Sequence, residues 1–344
     1  MDELSLLHKM RAETPPATDA AITSGYRQLL ERTRPPLPLA SRARAIKPTR
    51  RSPRLMRFGV ASVATVAVAA TLISTDVIGM AGWRGAATAQ AAQVLNDAAE
   101  TTIQTSDPVV GPGQYLRIDS NNVWLSSSTD ETGKTYSWLD TETGTMYIPA
   151  DRSGEWVWLR SARTPTTFFD EEARAYAETT HTNLQGQELR GPEGRFYGPA
   201  DNGTAPSEEY LNDLPRDPYK LLNSIYKRTI GQGRSVDGQA LVFIADLLRT
   251  GIVPADLRAS LYKAAALIPG VTITDTQANL DGRTGIAIGR IENASSMRQD
   301  IIIDPDTGLL IGEREITLEP LDKIPAGTAI TLTSIETTVS DSAP

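Results

Sequence analysis

Residues 113–160 read GQYLRIDSNNVWLSSSTDETGKTYSWLDTETGTMYIPADRSGEWVWLR. Five short runs within it are rich in aromatic and β-branched residues: GQYLRID (113–119), NVWLSS (122–127), KTYSWLD (134–140), TMYIPA (145–150) and EWVWLR (155–160). Their alternation of apolar and polar residues puts successive side chains on opposite faces of a strand. Asp130-Glu131-Thr132-Gly133, Asp140-Thr141-Glu142-Thr143-Gly144 and Ser153-Gly154 lie between runs and carry turn chemistry. The stretch therefore predicts an antiparallel meander.

Working outward, the period changes to that of a helix over residues 86–103, where Ala91, Val94, Leu95 and Ala98 fall on one face. A helical block follows the meander. Asp170 can cap DEEARAYAETT, and Asp217-Pro218 supplies a cap and first-turn pair for YKLLNSIYKR. Asp237 precedes Leu241, Ile244, Ala245 and Leu248, and Pro254 opens ADLRASLYKAAALI. Residues 183–206, rich in Gly and Pro, read as a loop. Strand signals then return in VTIT (271–274), GIAIGRI (285–291), DIIID (300–304), LLIGEREITL (309–318) and TAITLTSIETTV (328–339). The order predicts an α+β domain over residues 84–344, a curved antiparallel β-sheet packed on helices.

A different signal precedes this domain. Arg42, Arg44, Lys47, Arg50, Arg51, Arg54 and Arg57 stand directly before FGVASVATVAVAATLIST (58–75), which holds no charge. At 1.5 Å per residue that run covers about 27 Å, close to one hydrocarbon core. It extends toward Gly82, where Trp83 occupies an interfacial position. Arg84 is the one Lys or Arg in residues 84–103. The expectation is a signal-anchor: residues 58–82 as a transmembrane helix, 1–57 as a cytosolic tail, and 84–344 outside the cell. A cleaved signal peptide ending at Ala87-Thr88-Ala89 fits less well, because 57 residues precede the apolar run. Residues 1–34 read as two short helices and 35–54 as a linker rich in Pro and Arg.

Charge follows the same division. Residues 1–57 hold twelve Lys/Arg and five Asp/Glu, a net of +7, which leaves −15 for the rest of a chain of −8. An outer domain so acidic repels phosphates, so nucleic acid is not an expected partner. The basic stretch suits the membrane surface. The chain has no cysteine, hence no disulfide, thiolate nucleophile or thiolate zinc ligand. Its two histidines, His8 and His181, fall on opposite sides of the expected membrane. No catalytic constellation, metal site or cofactor is predicted.

Two groups remain as site candidates. Trp124, Trp138, Trp156 and Trp158 lie within 35 residues on expected strands. Their rings either line a groove for an acyl chain or an extended peptide, or pack as core against the 86–103 helix. Asp304, Asp306 and Glu315 stand at positions 1, 3 and 12 of a calcium-loop register, but position 6 is Leu309 where a Gly is needed. A hairpin turn shaped by Asp and Gly is the simpler reading.

Helix, meander, helical insertion and a strand–turn–strand carrying Asp304-Pro-Asp306-Thr-Gly308-Leu-Leu together resemble the lipoprotein-carrier fold of LolA and of the MucB/RseB sensor proteins. DELSLLHKMRAETPP, the basic belt with AAQVLNDAAE beyond the span, and ADLRASLYKAAALIPGV with DPDTGLLIGE resemble an uncharacterised family of actinobacterial single-pass proteins. The first resemblance implies a sheet wrapped over helices; the second implies no activity. The expectation is a membrane-anchored, non-enzymatic binding or sensor domain for a lipid or peptide. The alternative is a transmembrane regulator whose cytosolic tail binds a protein partner such as a sigma factor.

Overall fold

The computed structural model describes residues 85–105, 107–181, 184–197 and 206–344. The expected cytosolic tail (1–57), the transmembrane helix (58–82), the topology residues Arg50, Arg51, Arg54 and Arg57, and Trp83 lie outside the described residues. Among the described residues no helix is long and apolar enough to cross a membrane.

The described chain is α+β, as the patterning predicts. It opens with helix α1 (Ala89–Gln104) and continues into strands β1 (Tyr115–Thr129), β2 (Thr135–Pro149), β3 (Glu155–Arg160) and β4 (Thr164–Phe168). Helix α2 (Glu171–Thr180), strand β5 (Gln187–Pro192) and helices α3 (Glu208–Asp213), α4 (Pro218–Thr229), α5 (Val236–Leu248) and α6 (Ala255–Ala265) follow. Strands β6 (Val271–Leu280), β7 (Arg283–Glu292), β8 (Met297–Ile303), β9 (Leu310–Thr317) and β10 (Ala329–Ser340) complete it. All ten strands join one antiparallel sheet in the order β5-β3-β2-β1-β10-β9-β8-β7-β6, with β4 also paired to β2. The last strand therefore sits in the middle, between the meander and the C-terminal strands.

Local chemistry sets most helix starts. Asp170, Ser207, Asp217 and Ser235 each accept a hydrogen bond from a backbone N–H three residues on, which satisfies donors that have no partner inside a helix. Helix α6 begins after Pro254, which has no side chain to give. Its cap comes from far away: Asp107 Oδ2 accepts from Ala255 N at 2.9 Å.

One face of the sheet carries the helices. Helix α1 packs on α6, and α4 packs on α5 and α6. Leu95, Leu221, Ile225, Leu241, Ile244, Leu257 and Leu261 share one core with Leu116, Ile118, Ile148, Ile288, Ile301 and Ile335 of the sheet. Each fully buried side chain of this size contributes about 1.5–3 kcal/mol. On the other face the β6–β7 hairpin folds back over β8 and β9, so Ala278 and Leu280 join Ala287, Ile302 and Ile311 in a second, smaller cluster. Asp281 at the hairpin tip accepts from Asn121 Nδ2 at 2.6 Å and from Ser334.

Three sequence expectations change. The runs 113–119 and 122–127 are one strand, and 134–140 and 145–150 are another; both are 15 residues long and paired throughout. Asp140-Thr-Glu-Thr-Gly144 is thus strand, not turn. Its carboxylates are held by distant partners: Glu142 pairs with Arg160 through contacts of 2.8 and 3.0 Å, and Asp140 pairs with Arg163 at 3.1 Å. Long-range ion pairs outweigh the local turn preference. Residues 187–192, inside the expected loop, form β5 and pair along β3. By contrast, Asp130–Gly133 is the turn expected, with Asp130 Oδ1 accepting from Thr132 N and Lys134 N.

Candidate ligand-binding cleft

The strand register assigns each tryptophan a place. Trp124 faces Asp140 across the β1–β2 ladder and lies under the Arg163 guanidinium at 4.8 Å. Trp138 is fully buried, donates its Nε1–H to Asp140 Oδ1 at 2.8 Å, and meets the His181 ring edge-on at 5.1 Å. Trp156 belongs to the main core and donates to the Arg152 carbonyl at 2.9 Å. Trp158 is half-buried between Phe196 and the Arg160 guanidinium. Trp156 and Trp158 share a strand face, as the alternation implies, and the four rings do not converge. None of them lines either of the two cavities described next.

The larger cavity, about 580 Å³, lies where the sheet forks. Strand β10 pairs with β1 as far as Ser340↔Tyr115, but its ladder with β9 stops at Ser334↔Gly312. Strand β9 meanwhile stays with β8 to Leu310. Beyond that point the two wings part. Leu116 and Ile148 line one wall, Leu309, Leu310 and Ile311 the other, and Ile335, Glu336 and Thr337 run along β10. The roof is Leu248 with residues 251–254 on one side and Thr105, Asp107, Pro108 and Val110 on the other. Gly251 lets the roof sit close. Its φ is +70°, and a Cβ there would come within 2.9 Å of Ile118 Cδ1 and 3.1 Å of Thr337 Oγ1.

Three arginines and three carboxylates, Asp107, Asp304 and Glu336, border this cleft. Arg258, 8 % exposed, bonds Thr102 Oγ1, the Val253 carbonyl and Asp107. Arg152 Nη1 donates to the Ile252 carbonyl at 3.4 Å. Arg283 Nη2 donates to the Ile311 carbonyl at 3.2 Å and to the Ile335 carbonyl. Ile335↔Ile311 would be the next pair of the β10–β9 ladder, so a guanidinium stands where that pair would form. Neither Arg152 nor Arg283 has a carboxylate within ion-pair distance among the described residues.

The second cavity, about 420 Å³, is ringed by charged side chains and lies between α5 and the other half of the same sheet face. Glu313 is buried at its floor, accepting from Arg249 Nη1 at 3.0 Å and Gln299 Nε2 at 3.1 Å. Burial pushes its carboxyl up to about 7, against the pull of the Arg249 guanidinium. Asp246 is raised by the same cause. Glu315 pairs with Arg234, and Glu292 with Arg290. The charges of this cavity are matched in pairs.

The DPDTG segment is a hairpin turn. Asp304 Oδ1 accepts from Asp306 N at 2.9 Å, and Gly308 takes φ +67° against α1. Glu315 faces Arg234 in the second cavity instead of completing a calcium loop. His181 ends α2, its ring 2.9 Å from Thr180 Oγ1. Among the described residues no cluster of His, Asp and Glu could hold a metal ion.

No protein-family model and no curated protein matches the chain. By fold it is similar to MucB from a Pseudomonas aeruginosa MucA/MucB complex, at 10 % identity and a TM-score of 0.28 over 74 % of this chain and 59 % of that one. A second MucB structure gives 11 %, 0.28, 74 % and 60 %. A DUF1329 family protein from Desulfovibrio piger gives 11 %, 0.18, 72 % and 92 %. The chain thus spans about three-fifths of the MucB chains it matches. The α+β assignment above rests on strand order and register.

Proposed function

We propose that residues 85–344 form a non-enzymatic binding or sensor domain, anchored at the membrane by residues 58–82 and displayed outside the cell. The observation that carries this reading is the fork cleft, a cavity of about 580 Å³ with mixed apolar and polar walls between two wings of one sheet. Pockets that take small ligands span about 300–1,000 Å³ and combine apolar walls with a few placed polar groups. The cleft has that volume, with Leu116, Ile148, Leu248 and Ile335 as apolar walls and Arg152, Arg258, Arg283, Asp107, Asp304 and Glu336 as charged groups at its border. Its ligand is a lipid chain or a peptide segment.

The chain contains no cysteine, so a single introduced thiol reports one position. Val110 lines the cleft. Alkylation of the full chain carrying Val110→Cys is timed with palmitate, and with peptides selected from a random twelve-residue display library. One of the two arms slows alkylation at least tenfold, while Ser153→Cys in the exposed β2–β3 turn reacts at an unchanged rate. If neither arm protects Val110→Cys, the cleft is not a ligand site.

A further inference from the structure

We infer that the cleft takes an extended peptide segment, which adds as a strand along Ile335–Val339 of β10. The inference rests on the cleft being the binding position and names the class of its ligand.

In an antiparallel ladder the N–H and C=O of one residue point to the same side, and successive residues alternate. Two contacts fix which residues face the fork. The Thr333 carbonyl lies against Gly312 of β9, and the Ile335 carbonyl is reached by the same Arg283 that reaches Ile311 of β9. Thr333, Ile335, Thr337 and Val339 therefore turn their backbone groups away from β1. Thr333 still pairs with Glu313, but the β9 ladder has ended before Ile335. The N–H and C=O groups of Thr337 and Val339 lie beyond the last β9 pair, Ser334↔Gly312, and no strand of the described residues pairs with them on that side.

Proteins usually cover or shorten such a half-edge. Here it forms one wall of a cleft that carries both apolar and polar groups. An acyl chain filling that space would leave the row of backbone donors and acceptors unsatisfied beside it, which is unfavourable. A peptide main chain satisfies the row and places alternate side chains beside Ile335 and under the Leu248 roof. Main-chain pairing gives the affinity, and the apolar wall selects the side chains.

The test uses the full chain and the library-selected peptides. Thr337→Pro removes one fork-facing N–H and fills the edge with a ring, yet leaves the β1 ladder intact because that N–H does not face β1. Peptide binding to Thr337→Pro weakens at least tenfold. On the wild-type chain, peptides N-methylated at alternate residues lose binding by the same factor, a readout that survives if Thr337→Pro fails to fold. Amide exchange of residues 335–339 slows when peptide binds.

Protection by palmitate with no selected peptide binding overturns the peptide inference and leaves the cleft as the ligand site. Protection by neither overturns both. Equal peptide affinity for wild type and Thr337→Pro, or protection of 335–339 that grows with protein concentration alone, also overturns the inference, the latter in favour of a second copy of the chain.

Discussion

Replacing Glu313 with glutamine tests the energetics of the helix–sheet joint beside the cleft. Glu313 is 4 % exposed and accepts two hydrogen bonds, from Arg249 and Gln299. Burial nonetheless lifts its carboxyl from the ordinary 4.5 to about 7. Between those values the folded chain keeps a proton that the unfolded chain has released. Its contribution to stability is complete below pH 4.5 and is lost as pH rises through 7. At about 1.4 kcal/mol per pH unit, crossing that window costs the wild-type chain about 3 kcal/mol. The amide introduced by Glu313→Gln has no proton to lose, and Arg249 keeps Asp246 at 2.9 Å as a second partner.

Urea unfolding of the full chain and of Glu313→Gln at pH 4.5, 5.5, 6.5 and 7.5 measures the effect. Other titrating groups are common to both chains and cancel in the difference. The stability of wild type relative to Glu313→Gln should fall by about 3 kcal/mol from the most acid point to pH 7.5. A difference constant across the series to within about 1 kcal/mol would refute the argument, because it would mean that Arg249 and Gln299 offset the burial of the charge.

Gly308→Ala should lower stability by about 1–3 kcal/mol in the same assay, since φ is +67° and the added Cβ meets the Ala98 carbonyl at 2.5 Å. No change would mean that the turn is free to move off α1. Arg160→Met should cost about 3 kcal/mol by leaving the buried Glu142 carboxylate without its partner; a loss under about 1 kcal/mol would show that the pair contributes little. For topology, a membrane-impermeant maleimide should label Ser153→Cys in intact cells and label Ser41→Cys only after permeabilisation, with the reverse result inverting the chain.

The fold was legible where its causes are local. Alternation located the strands, and Asp170 and Asp217 marked helix starts because a capping side chain bonds the N–H groups next to it. Asp140–Gly144 misled for the same reason in reverse. Its residues carry turn chemistry, but Glu142 is tied to an arginine eighteen residues on, and no local pattern records that bond. The cleft was illegible throughout. Its walls come from segments between residues 105 and 337, brought together because β10 inserts beside β1. The tryptophans drew notice by size and spacing, yet they are spread among the main core, the α2 contact and two arginine stacks. Parity misleads at Glu313 too. In LLIGEREITL it would put 313 on the face of Ile311, but the bulge between Leu310 and Gly312 turns Ile311 to the opposite face.

The fork itself has an identifiable cause. Ladder pairing is favourable wherever two strands lie side by side, so β9 and β10 should continue from Ser334↔Gly312 to Ile335↔Ile311. At that position the Arg283 guanidinium donates to both carbonyls instead. It is delivered there by the β6–β7 hairpin, which Asp281 fastens to Asn121 and Ser334. Removing the guanidinium in Arg283→Leu frees the Ile335 carbonyl for the Ile311 N–H opposite. Amide exchange at Ile311 should then slow at least tenfold, and Val110→Cys should lose its ligand-dependent protection as the cleft narrows. Unchanged exchange at Ile311 would show that the wings are parted by the packing of Leu280 on Gly312, with Arg283 only filling the gap that this packing leaves.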